Sequence, residues 1–307
     1  CILLSTCLES YITNNNRWTA YTWTEAIGYD GHTMTNDTID ALQYLKEQDK
    51  DFFRVDKGYA AVSTYGDSQV MGYSSVTDYN STINRHLADF YNMLYTKVKV
   101  SDAQRIFEYS DESEVYPMGL INLKYILSMG ELDYSWCEYV GRTGGVYIYR
   151  NKYADSAASF YTNTISKSEC ESMDETGRRL LLKDTLIVPD GEDVLHDTET
   201  GEVTLGSFVA DGKYFTGTIS NEKEGFLLLT IPDQDGWEVY VDGKKTETIN
   251  GDYGFLAVKL AAGNHEVKAV YHIPYMKQGA VVSILGALLL TGYCLWLYHR
   301  DRKRKQG

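Results

Sequence analysis

The side chains that could do chemistry are few, and most are acidic or aromatic. Two carboxylate pairs stand close in sequence, Asp49/Asp51 and Asp233/Asp235. Two carboxylates in one cleft are what glycosidic bond chemistry often uses as acid and base. Both pairs fall in polar, turn-like runs where carboxylates are ordinarily solvated, so neither is assigned a catalytic role. Asp-Gln-Asp-Gly at 233–236 has the form of the start of a calcium loop, yet Trp237 to Val241 offers only Glu238 as a further ligand. The six histidines are scattered and no CxxC or HExxH occurs. No zinc site, no other metal and no cofactor is therefore expected.

The second chemistry on offer is sugar contact. The chain holds 26 tyrosines and 5 tryptophans. Aromatic faces stack on the apolar C–H edges of sugar rings, while Tyr hydroxyls and Asp or Asn oxygens satisfy sugar hydroxyls. One cluster is Trp18, Tyr21 and Trp23. The other is Tyr73, Asp78, Tyr79 and Asn80, beside the loop Gly72 to Ser75. The same residue types also suit an aromatic belt at a membrane surface or plain core packing.

What must position these residues is set by the far end of the chain. Gly279 to Tyr298 is 20 residues without a charged side chain. At about 1.5 Å per residue that is roughly 30 Å of helix, the thickness of a bilayer's hydrocarbon core. Tyr293, Trp296 and Tyr298 gather near its end, and Arg300, Arg302, Lys303, Arg304 and Lys305 follow. The span at 279–298 is thus expected to leave the basic tail, 299–307, in the cytoplasm and the rest outside. CILLSTCL at the start is too short to cross a bilayer, so residues 1–10 are expected to be the end of an earlier membrane helix cut short.

Charge narrows the partners. The chain carries −14; its tail holds five basic side chains and one acidic, so the part outside the tail carries −18. Such a surface excludes nucleic acid and disfavours docking on anionic headgroups. Of five cysteines, Cys294 lies in the span, and Cys137 and Cys170 could be paired or free.

Between the membrane segments two regions differ in pattern. In 11–173, Asn36 or Asp37 can cap a helix with Ile39, Leu42 and Leu45 as its stripe. DFFRVDK (51–57) alternates as a strand, and Leu87, Phe90, Tyr91 and Leu94 mark an amphipathic helix. Ser101 with Gln104 forms a capping box for a short helix, Pro117 can open another, and KYILS and GGVYIYRN read as strands. In 174–275 the runs RLLLKDTLIV, KYFTGTIS, GFLLLTI, WEVYVDG, GFLAVKL and HEVKAVYHI are spaced by Gly, Asn and Asp, with Asp242-Gly243 suited to a tight hairpin. The reading is α+β: an extracytoplasmic α/β layer (11–173), an all-β sandwich of six to eight strands (174–275) with Trp237 on its buried face, and one C-terminal transmembrane helix.

DALQYLKEQDKDFFRVDK, the GYSS at 72–75, NLKYILS, VYIYRNKYA and the block from GFLLLTIPDQDGWEVYVDGKK to HEVKAVYHIP resemble, together, the C-terminal half of the YfhO family of bacterial multi-pass membrane proteins. One departure is Asp155-Ser156, where the family commonly has Leu-Pro. The resemblance implies a GT-C-type glycosyltransferase that takes sugar from a polyprenyl-phosphate carrier and passes it to a cell-surface polymer such as lipoteichoic acid. It also implies that the catalytic carboxylate lies upstream, leaving this portion as a lid or acceptor platform with no catalytic residue of its own. The partners would be the polyprenyl-phosphate-linked sugar, the surface glycopolymer and the bilayer. The rival reading is a non-catalytic, membrane-anchored module that binds cell-wall glycan.

Overall fold

The computed structural model describes residues 34–59, 68, 71–76, 84–94, 112–154, 156–197 and 199–304. The first layer is a four-stranded sheet of β1 (Arg54–Lys57), β2 (Leu123–Ser128), β3 (Cys137–Thr143) and β4 (Val146–Asn151), in the order β1-β2-β4-β3. Only the β1–β2 pair is parallel. Helix α1 (Met34–Gln48) covers one face, burying Thr38, Ala41, Leu42 and Leu45, the i, i+3, i+4, i+7 set of one stripe. Ile39 leaves the expected stripe and is 44% exposed, because steps of three drift off a turn of 3.6 residues. Asn36 and Asp37 lie inside α1 rather than capping it. The Asp37 carboxylate instead accepts the Gly145 N–H at 2.7 Å and so fixes the β3–β4 turn.

Helices α2 (Arg85–Leu94) and α3 (Glu112–Leu120) pack on the other side, with Phe90, Leu94, Val115 and Met118 in one core. Pro117 sits within α3 instead of opening it, where its missing N–H removes one bond of the i to i−4 ladder. Asn122 follows α3 in the left-handed region, where Asn is tolerated, and its N–H closes back on the Gly119 carbonyl at 2.8 Å. The helix expected around Ser101 lies outside the described residues.

A short parallel pair, β6 (Thr164–Ser166) and β7 (Leu186–Val188), frames α4 (Lys167–Glu171) and α5 (Glu175–Leu181). The run RLLLKDTLIV therefore divides. Its first residues complete α5, whose N-cap Asp174 accepts the Gly177 N–H at 2.7 Å, and only Leu186–Val188 is strand.

Two sheets then face each other. One has β14 (Ile249–Gly251), β15 (Phe255–Leu260), β11 (Gly225–Pro232) and β5 (Ala158–Tyr161) in that order. The other runs β13 (Lys244–Thr246), β12 (Trp237–Val241), β16 (Gly263–Tyr271), β10 (Tyr214–Asn221), β8 (Val203–Leu205), with β9 (Val209–Asp211) also on β10. That makes ten strands among the described residues, more than the pattern had promised, because the short β8, β9, β13 and β14 carry no periodic signal. Asp242 and Gly243 form the β12–β13 turn with φ of 52° and 76°, as a tight hairpin requires.

The four-stranded sheet is buried on both faces, which is why GFLLLTI is continuously apolar instead of alternating. Leu227, Leu229 and Ile231 face the sandwich core, while Phe226 and Leu228 join the core that holds Phe90 and Leu186. Strand β5 and these contacts run across position 173/174, so the two expected regions share one central sheet. Trp237, Val239 and Val241 point to the sandwich core as alternation demands, but Trp237 sits at its rim, half-buried against Tyr271.

Strand β16 passes through a four-residue junction into α6 (Met276–Arg304). From Met276 to Arg300 it is long and apolar enough to cross a membrane, with none of that stretch buried by protein. A helix apolar on every side and covered by nothing is solvated by lipid, and α6 is the C-terminal transmembrane helix.

The layering ranks two substitutions. Leu227→Ala, in the doubly covered strand, should cost about 2–5 kcal/mol. Trp237→Ala, at the rim, should cost less, although Trp is the larger side chain. Melting temperatures of the detergent-solubilised chain test the ranking, and a larger drop for Trp237→Ala would refute it.

Candidate functional site

Tyr73 lines a cleft of 570 Å³ together with Lys46, Asp49, Lys50, Asp51 and, from β9, Val209 and Ala210. Of the sequence-derived sugar contacts it is the one the structure describes. Trp18, Tyr21, Trp23, Asp78, Tyr79 and Asn80 lie outside the described residues. The acidic pair in this cleft is committed to structure. Asp49 contacts the Lys124 ammonium at 2.6 Å and accepts the Tyr125 hydroxyl at 3.0 Å and the Asp51 N–H at 3.1 Å. Burial alone would raise its pKa; Lys124, Tyr125 and the Asp51 amide outweigh that and hold it below the usual carboxylate range. Asp51 turns the other way and accepts the Ser207 hydroxyl. The two carboxylates thus tie α1 to β2 and to the sandwich, each through its own partner.

Asp233 and Asp235 also part company. Asp233 is half-buried and accepts the Asn250 amide at 2.9 Å, whereas Asp235 is exposed. The same Asn250 amide nitrogen lies 3.3 Å from His86 Nδ1. His86, Asn250, Arg85, Lys167 and Tyr253 line a smaller cleft of 340 Å³. Its rim is a strained turn, with Asp252 and Tyr253 at φ of 49° and 65°. The buried Asp252 carboxylate holds this turn by accepting the Ile187 N–H at 2.9 Å, and desolvation pushes its pKa up to about 7.

The largest of these clefts, 820 Å³, lies where the sandwich meets the span. Trp237 and Tyr271 form one wall with ring centroids 5.1 Å apart, and Lys213, Glu238, His272 and Lys277 supply the polar groups. Backbone bonds fix its shape: Tyr271 N–H donates to the Lys213 carbonyl at 2.8 Å, and His272 N–H to the Gly236 carbonyl at 2.7 Å. Gly236 is required there, since its φ is 105° and a Cβ would lie 2.2 Å from the His272 oxygen. Met276, Lys277 and Gln278, the first turn of α6, close the cleft on the bilayer side. These residues were missed in sequence, although HIPYMKQ at 272–278, just before an apolar run, carries the His, Tyr and Lys signal of a membrane boundary.

Elsewhere, Cys137 and Cys170 are both free thiols, which decides the alternative the sequence left open. Among the described residues no group of three or more His, Cys, Asp or Glu side chains could hold a metal ion.

Two outcomes follow from these contacts. Asp49→Asn leaves the buried Lys124 ammonium without its counter-charge and should cost about 3–5 kcal/mol. A melting temperature equal to the parent's would show that Asp49 is not a structural ion. For Asp252, the unfolded chain loses the proton near the ordinary 3.8 and the folded chain near 7, so native stability declines as pH rises between those values and is level above. Asp252→Asn keeps an acceptor for Ile187 and suits a left-handed backbone. Its stability relative to the parent should therefore climb from pH 4 to pH 7 and then stay constant; a pH-independent difference in melting temperature would refute a protonatable Asp252.

The profile of a family described as bacterial membrane protein YfhO matches residues 4–206 and 193–283. The uncharacterized protein YfhO of Bacillus subtilis (strain 168) is 32% identical over 85 residues, which is 28% of this chain and 9% of that relative's length. No solved structure matches the chain. With the profile covering most of the residues and an apolar span closing the described fold, the chain belongs to the YfhO family of bacterial membrane proteins.

Proposed function

We propose that this chain is the extracytoplasmic C-terminal portion of a membrane glycosyltransferase that moves sugar from a polyprenyl-phosphate carrier to a cell-surface polymer such as lipoteichoic acid. In this reading it serves as the lid or acceptor platform, and the bond-making residues belong to membrane helices upstream. The observation that carries the reading is the cleft between sandwich and span, an aromatic and polar hollow at the bilayer surface. A lipid-linked donor keeps its phosphate at that level, so a glycan acceptor must be brought there to react. The carboxylates of the two acidic pairs fit a supporting role as well. Asp49, Asp51 and Asp233 are engaged by neighbours, as expected of groups that hold a platform and not of an acid and base facing a glycosidic oxygen. A single span also cannot shelter the polar cavity that a polyprenyl phosphate needs within lipid.

The basic cluster at Arg300 to Lys305 favours a cytoplasmic tail and an outer sandwich. In a cysteine-free background, Asp211→Cys should react with a membrane-impermeant thiol reagent in intact cells and Gly307→Cys should not. The reverse pattern would overturn the topology. For the activity, residues 1–307 and the full-length protein should be given a polyprenyl-phosphate sugar and teichoic acid. Transfer by the full-length protein alone is the expected result, and equal turnover by residues 1–307 would place the chemistry in this portion. Retention of glycan with no transfer by either protein would favour a non-catalytic, membrane-anchored glycan-binding module.

A further inference from the structure

We propose that the cleft between the sandwich and the span binds the phosphate of a membrane lipid, with Lys213, Lys277 and His272 as its donors and the Trp237–Tyr271 wall against the group next to the phosphate. The inference rests on α6 spanning a bilayer, as the proposed function also does, but not on sugar transfer. The two can therefore fail separately.

Depth is the first argument. Lys277 belongs to the first turn of α6, two residues before the uncharged stretch that begins at Gly279, so the cleft opens at the level of lipid headgroups. Charge is the second. Outside its tail the chain carries −18, yet this cleft brings together two lysines and a histidine against one carboxylate, Glu238. That carboxylate is already engaged: Lys245 donates to it at 2.6 Å and the Tyr240 hydroxyl at 2.8 Å, with His272 Nε2 at 3.7 Å. Lys268 adds to the field beside the cleft, since its ammonium and that of Lys213 both lie over the Tyr214 ring, at 4.7 and 5.2 Å. A cationic spot on an acidic protein, at the plane where phosphates are concentrated, is matched to a phosphate.

Preorganisation is the third argument. Lys213 and His272 come from different segments, and the bonds from Tyr271 N–H to Lys213 O and from His272 N–H to Gly236 O hold those segments in register before any ligand arrives. A volume of 820 Å³ exceeds what one phosphate fills and leaves room for an attached sugar or glycerol along the aromatic wall.

The lipid could be a bilayer phospholipid or a polyprenyl carrier, and the two share the phosphate. The test uses the purified full chain in neutral detergent, with lipid retention read by native mass spectrometry and the environment of the wall by tryptophan fluorescence. The probes are phosphatidylglycerol, a polyprenyl monophosphate, diacylglycerol and inorganic phosphate. At least one of the two phospholipid-type probes should be retained and diacylglycerol should not; which one is retained identifies the source. Lys213→Gln/Lys277→Gln should weaken retention by about tenfold or more. Both lysines are exposed, so the double variant should keep the parent's melting temperature. Lys213→Glu/Lys277→Glu, which reverses the charge, should abolish retention. Equal retention by parent and variants, equal retention of diacylglycerol, or binding of inorganic phosphate with no lipid retained would each overturn the site.

Discussion

The fold depends on one cation placed between its layers. Arg54, on the edge strand of the first sheet, donates to the Ile121 carbonyl at 2.5 Å and to the Thr230 carbonyl at 2.7 Å, the latter 176 residues away in the central sheet. Its guanidinium lies 4.8 Å from the Phe52 ring, and the Phe52 N–H donates to the Phe208 carbonyl at 2.7 Å. Desolvation pulls the Arg54 pKa down to about 10, partly opposed by Tyr91, so the group is still a cation at physiological pH. A partly buried charge whose hydrogen bonds go to carbonyls and not to a carboxylate is costly to hold, and its fork geometry offsets that cost by fixing two backbones at once. Segment 49–54 is therefore a seam: Asp49 reaches β2, Asp51 reaches Ser207 and Arg54 reaches β11.

From that seam the order passes to the membrane through covalent and hydrogen-bonded steps. Strand β11 is buried on both sides, leads through Gly236 into β12, and Gly236 is bonded to His272 at the end of β16. Four residues later α6 begins. The proposed lid or platform role brings a bound group to a fixed place, which favours stiff joints between the distal layer and the span. Positive backbone φ occurs on both sides of the junction, at Gly236 (105°) before β12 and at Tyr275 (59°) just before α6.

How much of this was legible in sequence follows from the range of each interaction. The span, helix α2 and the Asp242-Gly243 turn are written in neighbouring residues, and the structure has them in place; of DFFRVDK only Arg54–Lys57 is strand, although Phe53 and Val55 share one core and Phe52 joins another. The α1 stripe was off by one position, with Thr38 and Ala41 in place of Ile39, because a hydroxyl bonded to Tyr59 and a small methyl carry little hydropathy signal. The sharing of a central sheet across 173/174 was not legible, since β5 pairs with a strand more than sixty positions away. The site was the least legible part. Lys213, Trp237 and Lys277 are meaningful only once β16 has brought their segments together, whereas Asp49 and Asp51 looked chemical because their structural partners are far off in sequence.

Electrostatics then gives the membrane boundary a direction. Like charge keeps an acidic body away from anionic headgroups, and at physiological salt the repulsion is felt only within about 8 Å of the surface. Within that distance lie the residues nearest α6, where Lys213 and Lys277 line the cleft and Glu238 is the one carboxylate among its lining residues. With the proposed phosphate site, attraction acts at the base of the sandwich and repulsion over the rest, which disfavours broad adhesion of the domain to the bilayer. In the proposed platform role, a surface kept off the membrane in this way stays open to a polymer acceptor, while the cleft at the base of the sandwich stays in reach of lipid headgroups.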